Sequence, residues 1–333
     1  MVSRAAIALI GSESLLGREI RDIVSTSAPA LHLRLIAAED EEAGRLTRVG
    51  EEASLVAGLQ AVSLEGAQAV FLAGSPESSR KALELAGDAL AVIDLTYAAE
   101  DHPQARLRAP LVESEPPEDA GRVHVVAHPA SIALALFLRR LQAHDPVRRA
   151  IAQVFTPASD RGAAAVEELQ QQTVNLLSFK PLPKAVFDAQ AAFNLLARYG
   201  EEAPAALEES ELRIERHLAS LLALLGEGEG APMPSLRMIQ APVFHGYSFS
   251  VWVEFETVPD MDALENGLAC QAINVHGAEL EPPHIVGQAG QDGIAVGGIA
   301  PDRNDAKACW FWLVADNLRL TAQNAVAVAG QIL

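Results

Sequence analysis

An α/β fold in two domains is what the sequence predicts, and three observations carry it. Short apolar runs alternate with longer helical stretches along the first half of the chain, the pattern of a parallel sheet covered by helices. The first run, AAIALI at residues 5–10, ends in a turn bounded by Gly11 and Gly17 and leads into a helix over residues 18–24. Strand, glycine turn and helix together open a Rossmann-like dinucleotide-binding domain, because glycines let backbone rather than side chains approach a pyrophosphate. Finally, 333 residues are enough for a second domain.

The elements follow in order. Residues 32–37 make a second strand, ending in the acidic run Glu39-Asp40-Glu41-Glu42. An acid there is either part of a solvated loop or a hydrogen-bond partner for a ribose 2′-OH, as in NAD sites. Residues 69–74 and 91–95 read as buried strands, with a helix starting over residues 75–79 and a polar, proline-bearing loop at 114–120. Val123, Val125 and Val126 form another strand. His128-Pro129 stops it, since proline removes a ladder donor and restricts its predecessor. Ser131 then stands where a helix running to Leu141 begins. It is read either as an N-cap or as a nucleophile at a helix N-terminus that favours negative charge.

Further on come a strand at 151–156, a turn at 157–162 and a helix over 163–177. An amphipathic helix spans 208–225, with Leu212, Leu218, Leu221, Leu222 and Leu225 as its buried side, and the glycine-rich stretch 226–230 is a flexible linker. Residues 249–256 alternate as a strand. If that strand is extended back to His245, the imidazole shares a face with Tyr247.

Composition excludes several function classes. The net charge of −19 repels nucleic acid and anionic membrane, and no apolar run reaches the roughly 18 residues of a membrane span. The N-terminal stretch leads directly into the first strand and is read as structure, not as a signal peptide. Two cysteines, Cys270 and Cys309, give neither a disulfide framework nor a zinc motif, so the expected compartment is the cytoplasm. His124 and His128 have a ligand-like spacing, but on a strand and its turn it does not bring them together, and no metal is expected.

The stretch VVAHPASIALALFLRRL resembles the active-site segment of the aspartate-semialdehyde dehydrogenase family, where an Asn-Pro-Asn-Cys turn carries a nucleophilic cysteine. Pro129 is kept, His128 and Ala130 stand for the asparagines, and Ser131 stands for the cysteine. A second segment, QAPVFHGYS, is similar to the family's Arg-Val-Pro-Val-x-x-Gly-His-Ser. Gln240 takes the place of the substrate-carboxylate arginine and Tyr247 that of the catalytic histidine. Pro157 sits at the position of an active-site glutamine, and Glu211 near that of a binding lysine. The motif Ala192-Phe193-Asn194-Leu195 matches a core motif, and the run from Trp312 through Asn324 matches the closing helix.

The same resemblance aligns the cofactor positions. The family's turn is G-x-x-G-x-x-G; Gly11 and Gly17 are kept, and Ser14 replaces the middle glycine with Glu13 beside it. Gly74 matches a Ser-Ala-Gly loop beside the cofactor, and Asn324 is counted with the same set. Glu41-Glu42 occupy the place of an arginine that holds the NADP 2′-phosphate, and Glu100 falls at or next to a phosphate-binding arginine. A carboxylate facing a dianion reverses the interaction, so NAD is expected over NADP if either binds.

The resemblance implies a Rossmann-like domain at 1–130, a semialdehyde dehydrogenase-type α+β dimerisation domain at 131–311, and a closing helix at 312–333. It implies a homodimer through the second sheet, with the strand at 249–255 suited to it. The family reaction, in amino-acid biosynthesis, is NADP-dependent phosphorylating oxidation of aspartate semialdehyde: a thiolate attacks the aldehyde, histidine handles the proton, hydride leaves to NADP and phosphate resolves the thioester. Serine and tyrosine are poor substitutes, since a cysteine titrates near 8.5 and a tyrosine near 10. The chain resembles the Usg-type paralogues, which also lack the cysteine and share the Gln-Ala-Pro-Val-Phe start. The reading is a degenerate active site on a protein that binds a small molecule or a protein partner. The alternative is an NAD-dependent oxidoreductase using Ser131 and Tyr247.

Overall fold

The structure, a computed structural model, describes residues 5–28, 30–39, 41–87, 90–116, 121–225 and 230–333. Residues 117–120 of the expected polar loop and 226–229 of the expected linker lie outside them, as do Asp40 and the Leu225 side chain. The chain divides into one unit of residues 1–127 with 321–333 and a second of residues 128–320.

In the first unit, β1 (Ala5–Ile10), β2 (Leu31–Ile36), β5 (Ala69–Leu72), β6 (Ala91–Asp94), β7 (Ala105–Arg108) and β8 (Val123–Val126) form a parallel sheet in the order β2-β1-β5-β6-β8-β7. Between β2 and β5 lie a small hairpin, β3 (Leu46–Val49) and β4 (Glu52–Leu55), and α2 (Ala61–Leu64). The helices α1 (Leu15–Ser27) and α3 (Pro76–Ala86) follow β1 and β5. β5 and β8 are buried at every position, on both faces of the sheet, as central strands of parallel sheets are. The strand order reverses between β1 and β5, which is the switch point where such sheets open their ligand crevice.

In the second unit, β9 (Val147–Thr156), β10 (Ser235–Gln240), β11 (Tyr247–Phe255), β12 (Ile273–Val275), β13 (Ile294–Pro301) and β14 (Ala308–Ala315) form a mixed sheet in the order β10-β9-β11-β14-β13-β12. Its helices are α4 (Pro129–His144), α5 (Ala163–Leu177), α6 (Leu207–Leu222), α7 (Met261–Leu268) and the single-turn α8 (Ile285–Gln288). Tyr247, Phe249, Val251 and Val253 of β11 are buried, while Ser248, Ser250 and Trp252 between them are half-buried. The ring of Phe137 on α4 packs edge-on against Phe311 of β14 at 5.0 Å between centroids. A boundary expected at residue 312 falls inside β14, whose pairing with β11 and β13 keeps it in this sheet. The last helix, α9 (Asn317–Ile332), joins the first unit from Thr321 onward.

Several sequence expectations change here. The helix expected to begin at Ser131 begins at Pro129 and is capped by His128, whose Nδ1 accepts from the Ala130 N–H at 3.3 Å. Ser131 is therefore inside the first turn and is no cap. Phe193 and Leu195 are exposed, at 66% and 57%, and Phe193 takes a left-handed φ of +59°; the buried position in that segment belongs to Ala192. Leu212 is 50% exposed, and the buried face of α6 runs instead through Ile214, His217, Leu218, Leu221 and Leu222. His245 is exposed: Gly246 has φ +85°, so the backbone is not extended there and His245 does not share Tyr247's face.

Candidate functional site

The second unit gathers the residues expected at the reacting centre, but each is engaged by the protein itself. The N-terminal turn of α4 presents Ser131, which is fully buried and donates its hydroxyl to the Ile214 carbonyl of α6 at 2.9 Å. A nucleophilic serine needs a base to remove that proton; the main-chain carbonyl here only accepts a hydrogen bond and cannot act as one.

Gln240 ends β10 and is also fully buried. Its Nε2 donates to the carbonyls of Thr156 and Ala241 at 3.0 and 2.9 Å, and its Oε1 accepts from the Tyr199 hydroxyl at 2.7 Å. A buried carboxamide in this state has both donors and its acceptor satisfied, so nothing remains to hold a substrate carboxylate. Burial, with the Asp160 charge adding, pushes the Tyr199 phenol above its ordinary range and keeps it a donor. Pro157 is buried and precedes a 3-10 turn over Ala158–Arg161.

That turn supplies the centre of the cluster. Asp160 Oδ1 accepts from the Tyr247 hydroxyl at 2.5 Å and lies 3.4 Å from His128 Nε2. Since His128 Nδ1 is an acceptor, the ring proton sits on Nε2, facing the carboxylate. Burial pushes the Asp160 carboxyl up, but the facing His128 ring, the hydrogen bonds of His128 and Tyr247 and the Arg161 charge outweigh it and hold it below the ordinary carboxylate range. The rings of His128 and Tyr247 meet edge-on at 6.0 Å. The main-chain N–H of His128 donates to Nδ1 of His217 on α6 at 2.9 Å. Asp160, Tyr199 and His217 were not singled out from sequence. A turn aspartate and a helix histidine carry no local signal of the long-range partner that gives them a role.

Glu211 on α6 accepts from the Met238 N–H of β10 at 2.6 Å and lies 3.6 Å from Arg237. It ties helix to strand, where the family alignment expects a cation for a ligand.

The dinucleotide turn of the first unit keeps its backbone shape. Gly11 has φ +80°, and a Cβ on it would lie 2.3 Å from the Gly74 backbone. A Cβ on Gly17 would lie 2.0 Å from the Gly11 carbonyl oxygen. Ser14 caps α1, accepting from the Gly17 N–H at 2.9 Å and donating to the Ala73 carbonyl at 2.6 Å. Glu41 is not a solvated loop acid: its two oxygens accept from the Glu13 N–H at 3.0 Å and the Ala38 N–H at 3.1 Å. Glu13 pairs with Arg21 at 2.9 Å. Asn324 is fully buried and its Oδ1 accepts from the Leu111 N–H at 3.2 Å. With a carboxylate on an amide of the turn, these residues do not fit the phosphates of a dinucleotide.

His124 belongs to a separate buried group: it lies 3.4 Å from the Arg108 guanidinium, which Glu113 binds at 2.9 Å. Among the described residues no group of three or more metal-ligating side chains occurs, and no helix is long and apolar enough to cross a membrane.

Comparison with known proteins gives a consistent result. The semialdehyde dehydrogenase dimerisation domain matches residues 138–320. The chain is 31% identical to a USG-1 protein homolog from Pseudomonas aeruginosa, over 98% of this chain and 97% of that one. It is 26% identical to the aspartate-semialdehyde dehydrogenase of Rickettsia bellii, over 100% and 99% of the two chains. The solved structure of a probable aspartate-semialdehyde dehydrogenase from Pseudomonas aeruginosa matches with a TM-score of 0.80 at 29% identity, covering 98% of each chain.

Proposed function

The chain belongs to the aspartate-semialdehyde dehydrogenase family, and we propose that it no longer carries out that family's reaction and acts by binding, as a partner subunit or as a receptor for a small ligand. The observation that carries this is the Ser131 hydroxyl donating to Ile214. An acyl intermediate needs a nucleophile with its proton removed, and the group at that position has neither thiol chemistry nor a base. Tyr247 and Gln240 support the same reading, since the first donates its hydroxyl hydrogen bond to Asp160 and the second is saturated by main chain and Tyr199. The alternative of an NAD-dependent oxidoreductase working through Ser131 and Tyr247 is disfavoured on the same ground: both donors are spent inside the protein. The test is a steady-state assay with aspartate semialdehyde, phosphate and NADP. No NADPH formation above the enzyme-free blank is expected, and sustained turnover of about 1 s⁻¹ or more, ordinary for an enzyme, would sink the proposal.

Homodimerisation through the second sheet is part of the same proposal. On the open face of that sheet Ile151, Trp252 and Trp310 are paired neighbours across β9, β11 and β14. Ile151 and Trp310 remain 47% and 43% exposed, an apolar row of the kind that interfaces cover.

A further inference from the structure

We infer that Glu41 is a built-in latch on the dinucleotide turn, a carboxylate that occupies the place of a phosphate and must leave before a dinucleotide can enter. The inference rests on reading the first unit as a dinucleotide-binding-type domain. The turn keeps the glycines that close backbone approach requires: Gly11 and Gly17 cannot carry a Cβ without collision at 2.3 and 2.0 Å. Such a turn offers main-chain N–H groups at a helix N-terminus to an anion. The anion present is the chain's own. Glu41 bridges the turn after β1 and the loop after β2, one oxygen on the Glu13 N–H and the other on the Ala38 N–H.

Two neighbours hold the latch in place. The Glu13 carboxylate, the other negative charge at the turn, is drawn to Arg21 at 2.9 Å and lies 3.9 Å from Arg18. Glu39, two residues before Glu41, pairs with Lys81 of α3 at 3.2 Å and anchors the loop. A tethered carboxylate competes at high effective concentration. A phosphate arriving at the same amide meets both a filled donor and a like charge. The apparent affinity of the turn for a dinucleotide is then reduced by the fraction of molecules in which Glu41 has swung out.

Calorimetric titration of the full chain with NAD⁺, as wild type, Glu41→Ala and Glu41→Gln, tests this. Glu41→Ala is expected to bind NAD⁺ at least about tenfold more tightly than wild type, with Glu41→Gln between them because a carboxamide accepts only one of the two N–H groups. Equal affinity in a folded Glu41→Ala protein, or no binding by either, overturns the latch. If Glu41→Ala fails to fold, amide exchange at Glu13 in Glu41→Asp replaces it: faster exchange than wild type supports the latch, and unchanged exchange overturns it. The ratio of affinities reads the latch alone, whereas turnover in the aldehyde assay reads the proposed function alone.

Discussion

A serine whose hydroxyl hydrogen-bonds to a main-chain carbonyl contributes to stability through the acceptor it satisfies. Ser131→Ala would leave the Ile214 carbonyl without that donor, and a loss of about 1–2 kcal/mol in denaturant unfolding is expected. Gln240 makes three buried hydrogen bonds, so Gln240→Ala should cost more, roughly 2–4 kcal/mol. A cost below that of Ser131→Ala would contradict the arrangement described. His124 gives a pH signature. Burial, with the Arg108 charge adding and Glu113 opposing, lowers its pKa from 6.5 to about 4. Above pH 6.5 the imidazole is neutral in both folded and unfolded chains and contributes nothing. As pH falls from 6.5 towards 4, the unfolded chain takes up a proton that the folded one refuses, so stability declines by up to about 3 kcal/mol and levels off below the folded pKa. His124→Gln should flatten that part of the unfolding profile, and an unchanged slope would show that the acid sensitivity lies elsewhere.

At the scale of elements, α6 is held to β10 by Glu211 on the Met238 N–H. Glu211→Lys, which restores a cation, should cost about 1–3 kcal/mol by removing that acceptor and placing a like charge beside Arg237. A lysine variant as stable as wild type would remove the structural role given to Glu211. The strands were legible because β-branched and leucine runs bounded by glycine have one stable environment, a sheet covered on both sides; β1 spans residues 5–10 as expected. Helix 163–177 was equally plain from its apolar spacing. Legibility stopped where one backbone angle decides. Phe193 adopts a φ of +59° and is exposed, and Gly246 at +85° removes His245 from the face of Tyr247; neither angle is encoded by residue type alone. The positions of Ser131, Gln240 and Tyr247 were visible by resemblance. Their partners were not, because Ile214, Tyr199 and Asp160 are 83, 41 and 87 residues away in the chain.

For the whole molecule, the proposed assembly is a homodimer across the open face of the mixed sheet. Light scattering at micromolar concentration should give twice the 35.3 kDa chain mass. Ile151→Asp combined with Trp310→Asp should weaken the dimer at least about tenfold, since buried aromatic anchors carry much of an interface's energy. A wild-type monomer would contradict the assembly and leave the site description untouched. The charge of the molecule bears on its partners as well: at −19, a protein partner should present basic side chains, and its association should weaken with added salt.

The central claim is that no acyl-enzyme forms at Ser131, and the most direct measurement is a single-turnover one. Stopped-flow absorbance follows NADPH when stoichiometric wild-type protein is mixed with aspartate semialdehyde and saturating NADP in the absence of phosphate. Hydride transfer accompanies acylation, so a competent nucleophile must release NADPH even when no phosphate is present to resolve the intermediate. The structure predicts no NADPH burst. A burst approaching one NADPH per chain would show that Ser131 leaves Ile214 and reacts, and would contradict the account.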